Sequence, residues 1–155
     1  METVFDLLDE KMRAGRSRPG AGCDLVATTP EATVREATRL MNEHGIGSVI
    51  VMNGRELAGI FTERDVLRRV VVESRSPDAT LVREVMTANV LFCSLEATID
   101  DVADQMRRHR VRHVPVLDAD REVVGMVSIG DVNAHRHACC ERTLYHMEQY
   151  LHGRA

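Results

Sequence analysis

A chain of 155 residues with 44% hydrophobic content is long enough for one compact core, or for two small repeats acting as one body. Aromatic residues make up 3% and Trp is absent, so the core is aliphatic and stacking platforms for single-stranded nucleic acid are scarce. The formal net charge of −4 argues further against a nucleic-acid partner, and no apolar run approaches membrane-spanning length.

Val4, Phe5, Leu7, Leu8 and Met12 predict an amphipathic helix over Met1 to Met12. The same stretch lacks the apolar core of a signal peptide, and Glu2, Asp6, Asp9 and Glu10 disfavour a transit peptide, so a cytoplasmic location is expected. Arg13 to Gly22, rich in glycine and arginine, reads as a mobile loop. A strand is expected at Asp24 to Thr28, then a helix opened by the capping box Thr33-Val34-Arg35-Glu36. Val34, Ala37, Met41 and His44 form its core stripe, and Gly45-Ile46-Gly47 ends it. His44 and His109 close equivalent helices and read as structural. Ser48 to Met52 is a strand that turns at Asn53-Gly54 and returns through Leu57 to Phe61. Next comes a helix with Val66, Leu67, Val70 and Val71 on an apolar face and Arg64, Arg68 and Arg69 outward, then a linker over Glu73 to Thr80.

Val82 to Thr87 predicts a short helical turn leading into a strand at Val90 to Cys93, and Thr98 caps the next helix with Asp101. After Asp131 a long helix runs to about His152, where Cys140, Leu144, Met147 and Leu151 make a seam for the N-terminal helix or a partner subunit. The four cysteines, Cys23, Cys93, Cys139 and Cys140, form no Cys-x-x-Cys pair, and Cys93 reads as a small core residue. His135 and Cys139 lie one helical turn apart, but two ligands on one face fall short of a tetrahedral set, so no metal is expected.

One stretch occurs twice: Gly59-Ile60-Phe61-Thr62-Glu63-Arg64-Asp65 and Gly125-Met126-Val127-Ser128-Ile129-Gly130-Asp131. Upstream, Thr33, Val34, Ala37, Met41 and His44 align with Thr98, Ile99, Val102, Met106 and His109, and the spacing changes only in the turn where Asn53-Gly54 is answered by Asp118-Ala119-Asp120. Each copy sets a hydroxyl and a carboxylate where a strand becomes a helix. A carboxylate accepts from both hydroxyls of a ribose, and the helix N-terminus suits phosphate. The same residues also fit simple helix capping, and the two roles are compatible. The division expected is 1–22 helix and loop, 23–75 first repeat, 76–82 linker, 83–134 second repeat and 135–155 helical extension.

With the runs Val82 to Thr87 and Val111-Arg112-His113-Val114-Pro115-Val116, this pattern resembles the tandem cystathionine-β-synthase (CBS) domain pair, or Bateman module. The resemblance implies an α/β fold of the α+β type: two βαββα units packed about a pseudo-twofold axis, with two clefts for adenosine-containing ligands. It implies a regulatory sensor and no enzyme, and the sequence shows neither a His-Glu-x-x-His helix nor a Walker loop. By resemblance, Asp65 and Asp131 hold ribose hydroxyls, Thr62 and Ser128 assist, and Thr87 shares a cleft with Asp131. Arg112 and His113 take phosphate; the first repeat has Gly47-Ser48 there, with Arg64 as the candidate substitute. The expected ligand is AMP, ADP or ATP, or else an NAD-type molecule or S-adenosylmethionine. The expected partners are a second copy in a disk-like homodimer and a regulated protein, with neither nucleic acid nor membrane. Two other readings stand beside this one: a ligand-free dimerisation scaffold, and a metal or thiol-redox protein using Cys139, Cys140 and the nearby histidines.

Overall fold

The structure, a computed structural model, describes residues 2–13 and 25–152, with side chains up to 150. The loop expected up to Gly22, Cys23, the start of the strand expected at Asp24 and the side chain of Leu151 lie outside them. The elements are α1 (Val4–Arg13), β1 (Ala27–Thr28), α2 (Val34–His44), β2 (Ser48–Asn53), β3 (Glu56–Thr62) and α3 (Glu63–Asp65), which runs into a π-helical segment, Val66–Val71. They continue as α4 (Val82–Val85), β4 (Cys93–Ser94), α5 (Ile99–His109), β5 (His113–Leu117), β6 (Val123–Ser128) and α6 (Ile129–His152). Among the described residues these form two three-stranded mixed sheets, β1-β2-β3 and β4-β5-β6. In each, the first pairing is parallel and the second antiparallel, with corresponding register: Ile50 faces Ile60, and Pro115 faces Met126. The expected α/β repeat pair is what folds.

Local chemistry sets the boundaries. The Thr33 hydroxyl accepts from the Glu36 amide while the Glu36 carboxylate accepts from the Thr33 amide, so two of the donors a helix start leaves unpaired are satisfied. Gly45 ends α2 in the left-handed region, at φ 62°. Its counterpart after α5 is Arg110, at φ 54°, whose carbonyl accepts from Arg64 Nη1 at 2.9 Å.

Neither sheet closes its own core. Val34, Ala37, Met41, Val49, Val51, Phe61 and Val70 of the first repeat are sealed by Val82 and Val85 of α4. Ile99, Val102, Met106, Val114, Val116, Val127 and Val132 of the second are sealed by Val4, Leu7 and Leu8 of α1. The backbone repeats the exchange bond for bond: Val82 donates to Ala32 O and Val4 to Ala97 O, while Thr33 bridges Leu81 and Thr98 bridges Thr3. This reciprocity accords with an approximate twofold relation. Each buried Val or Leu contributes about 1.5–3 kcal/mol, so either exchanged helix matters to the whole chain.

Three local expectations need correction. His44 is exposed, the core stripe of α2 ending at Met41, one turn before the left-handed cap at Gly45. The helix after Asp65 widens, with Val72 N bonded to Leu67 O and Arg75 N to Val70 O, five residues back. Val66 and Val70 face the core while Leu67, Val71 and Val72 are exposed. Among the described residues the strands expected at Asp24 to Thr28 and Val90 to Cys93 shrink to Ala27–Thr28 and Cys93–Ser94, the pairs in register with β2 and β5, with Ile50 N also bonded to the Val26 carbonyl.

Gly59 marks the tightest inter-repeat approach. A Cβ there would lie 2.8 Å from Met86 Sδ and 2.8 Å from the Thr87 carbonyl, which accepts from Ile60 N. Gly59→Ala is expected to destabilise the fold by about 1–3 kcal/mol. Gly130→Ala, whose Cβ would meet only Ser128 Oγ at 3.5 Å, should not destabilise it. Thermal denaturation of both variants checks the contrast.

Candidate functional site

Both copies of the repeated motif cap the helix they precede. Asp65 Oδ2 accepts from the Thr62 amide at 2.9 Å and from its hydroxyl at 2.8 Å, and the Asp65 amide donates back to Thr62 Oγ1. Asp131 Oδ2 accepts from the Ser128 amide at 2.8 Å and from its hydroxyl at 2.7 Å, with the same return bond. Beyond this shared box the two junctions differ.

At the first junction the bridge between Ile60 and Thr87 carries the Thr87 hydroxyl to 3.3 Å from Asp65 Oδ1, and Arg69 lies 3.6 Å from the same oxygen. A cavity of about 190 Å³ opens here, lined by Thr62, Asp65 and Thr87 and, from the other repeat, Arg112 and His113. Thr87 thus stands against Asp65 and not, as expected, with Asp131; the physical reason is that α4 packs on the first repeat. The basic pair of the second repeat thus shares a cavity with the first repeat's carboxylate, which Gly47 also lines. Arg64 also lines the cavity, with its guanidinium engaged by the Arg110 carbonyl. Burial pushes the His113 imidazole below its ordinary pKa, reinforced by Lys11 and Arg112 against the opposing pull of Asp131 and Glu63.

At the second junction α1 stands where α4 stands at the first. Lys11 Nζ donates to Asp131 Oδ2 at 2.8 Å and to the Met126 carbonyl at 3.3 Å. Burial works to raise the Asp131 pKa, but the hydrogen bonds from Lys11 and Ser128 outweigh it and hold the carboxyl below the usual range. Lys11 is the residue that sequence reasoning missed. The available signal was the match of Val4-x-x-Leu7-Leu8 to Val82-x-x-Val85-Met86, which makes α1 the counterpart of α4. Asp131 and Ser128 do not line the first cavity with Thr87, although Ser128 pairs with His113 across β5 and β6 and Asp131 lies near enough to pull on that imidazole. A cavity of about 240 Å³ between α1 and α6 connects Asp131 and Lys11 with Glu10 and His135.

A third cluster lies beyond it. The buried His135 ring meets Glu2 Oε2 through Nε2 at 2.6 Å and Glu10 Oε2 through Nδ1 at 3.1 Å. Cys139 Sγ donates to Glu2 Oε2 at 2.9 Å. Burial alone would lower the His135 pKa; the two carboxylates reverse that and raise it. Glu2, by accepting the Cys139 proton, pushes that thiol up. Cys93 is an inert core thiol by comparison, raised to about 11 by burial. Among the described residues no helix is long and apolar enough to cross a membrane.

Known proteins share this architecture. A CBS-domain protein from Burkholderia ambifaria MC40-6 is 39% identical, with a TM-score of 0.79 over 88% of this chain and 94% of that one. The CBS domain protein PAE2072 from Pyrobaculum aerophilum, complexed with AMP, is 25% identical with a TM-score of 0.68, over 83% and 88%. Hypoxic Response Protein I, with two coordinated zinc ions, is 25% identical with a TM-score of 0.66, over 87% and 99%. Curated relatives are often longer, and the chain spans from 17% to 76% of their length. The zinc-bearing neighbour, together with the grouping of Glu2, His135 and Cys139, overturns the expectation that no metal is involved. That expectation counted ligands along one helix and could not see Glu2 arrive from the other end of the chain. The model of the CBS domain matches residues 22–72 and 82–137, one match for each repeat, and the chain belongs to the CBS domain family as a tandem pair.

Proposed function

We propose that the chain is a regulatory sensor of an adenine nucleotide, read out through a protein partner. CBS-domain pairs are regulatory modules and not catalysts, and members of the family take adenosyl ligands, as the AMP complex of the Pyrobaculum protein illustrates. The observation that carries the reading is the first cavity, where a ribose-binding hydroxyl and carboxylate from one repeat face an arginine and a histidine from the other. Asp65 and Thr62 take the ribose, Thr87 steadies Asp65, and Arg112 and His113 take phosphate. A ligand held from both sides binds one inter-repeat pose better than another, and that difference is the signal. Output by contact suits the apolar side chains left at the surface, Leu67, Val71 and Val72 on one face and Leu144, Tyr145 and Met147 on α6. A second copy, as in a disk-like homodimer, and a regulated protein are the partners this reading expects.

Calorimetric titration with AMP, ADP, ATP, NAD, S-adenosylmethionine and guanine controls tests it. One adenine mononucleotide should bind. Arg112→Ala, an exposed position, should weaken it about tenfold or more at unchanged thermal stability, as expected for loss of a charge-assisted bond. No binding by any of them at millimolar concentration would instead leave the aspartates as helix caps in a scaffold.

The second junction yields a stoichiometric prediction. A ribose there must displace the charge-assisted Lys11 bond, about 1.5–3 kcal/mol, with neutral bonds of about 0.5–1.5. The wild-type chain should bind one nucleotide, and Lys11→Ala should admit a second at Asp131. Equal stoichiometry in both proteins would show that Lys11 does not guard that site.

His113 sets a pH dependence. Its pKa is depressed in the free protein and rises beside bound phosphate, so binding takes up a proton; the added affinity is fully present below the free value and is lost as pH rises through the bound one. Affinity should increase about two- to tenfold from pH ~8 to ~6.5 beyond any change seen in His113→Gln, a difference that cancels the ligand's own titration.

A further inference from the structure

We propose that Glu2, His135 and Cys139 bind a borderline-soft divalent cation of the zinc class, which fastens the start of α1 to α6. The site is separate from the nucleotide cavity and does not depend on it.

The ligand atoms are already assembled. Glu2 Oε2 is 2.6 Å from His135 Nε2 and 2.9 Å from Cys139 Sγ, and Sγ is 3.7 Å from Nε2. Zinc bonds of about 2.0 Å to nitrogen and oxygen and 2.3 Å to sulfur, arranged tetrahedrally, set such atoms about 3.3–3.6 Å apart. The His–Cys edge meets that spacing as it stands. The two edges to Glu2 must open by less than about 1 Å, a small adjustment for an exposed, flexible carboxylate on the scale of those bond lengths. His135 and Cys139 are related by one turn of α6 and so share a face.

A second observation points the same way. The other ring nitrogen, Nδ1, is held by Glu10 at 3.1 Å, and the His135 side chain is 6% exposed, so the imidazole has one fixed orientation. A carboxylate on the far nitrogen of a histidine is the usual support of a zinc-binding imidazole. Arg142 Nη2 lies 3.2 Å from Cys139 Sγ and offsets part of the effect by which Glu2 keeps the thiol protonated in the absence of a metal. One nitrogen, one sulfur and one carboxylate suit zinc or cobalt(II), whereas calcium and magnesium take oxygen alone. The cation takes the place of the thiol proton and of the proton that Nε2 shares with Glu2, and both leave to solvent. With three protein ligands, the fourth position falls to water or to an added donor. Because Glu2 adjoins the helix that carries Lys11, the bound cation also steadies α1 over Asp131.

The test uses the full chain with no residues added before Met1, stripped with a chelator and titrated with Co²⁺ and then Zn²⁺. One equivalent of Co²⁺ should produce a thiolate-to-cobalt charge-transfer band and four-coordinate visible bands, and Zn²⁺ should displace it. Cys139→Ser, an accessible position, should abolish the charge-transfer band and weaken zinc at least tenfold at unchanged circular dichroism. Glu10→Gln should weaken zinc by about 10–100-fold while keeping the band. Cys140→Ser should change nothing. Absence of the band in the wild type, binding unchanged in Cys139→Ser, or loss of the band in Cys140→Ser in its place would overturn the site.

Discussion

Each half of this chain has a core that it cannot close. A three-stranded sheet with its own repeat's helices still leaves apolar surface open, and here the missing cover comes from the helix that precedes the other repeat: α4 over the first core, α1 over the second. The constraint decides much else. It fixes the relative pose of the repeats, brings Thr87 onto Ile60, and requires glycine at position 59. It also explains why the two ends of the chain meet, since α1 must reach the second sheet and there encounters α6.

The exchange shows which parts of the architecture can be read from the sequence. Strand, turn and helix starts depend on neighbours within a few residues, so the boxes at Thr33, Thr62, Thr98 and Ser128, the Asn53-Gly54 hairpin and the repeat itself are legible. Residues at the cavity that act through their own junction, Thr62 and Asp65, are legible for the same reason. Thr87 and Lys11 are not, because their positions follow from which core needs covering, a fact about the assembled body. Val66 to Val72 fails differently. The apolar positions lie as two adjoining stripes, and the spacing does not say that only the Val66 and Val70 stripe meets a core while Leu67 and Val71 face outward.

Two junctions of one design have acquired different chemistry from a single neighbour. At Asp65 the neighbour from the exchanged segment is a neutral hydroxyl, and the nearest cation, Arg69 at 3.6 Å, comes from the helix that Asp65 itself opens. At Asp131 it is an ammonium, which satisfies the charge from within the chain. The basic residues Arg112 and His113 stand over the first. An internal repeat thus supplies an asymmetric pair of junctions without any change in the hydroxyl–carboxylate motif, the exchanged segments contributing Thr87 to one and Lys11 to the other.

The Ser128–Asp131 box also opens the longest element of the molecule. Helix α6 runs unbroken for 24 residues, a length of about 36 Å at 1.5 Å per residue, from a base that packs Ile129 and Val132 into the second core to a far end that bears exposed Leu144, Tyr145 and Met147. Contacts from Glu2 hold α6 as far as Arg142, so only the last turns, about 15 Å at 1.5 Å per residue, project past them. A tilt of about 5° there sweeps the far end through about 1 Å, which makes the projecting end a stiff post.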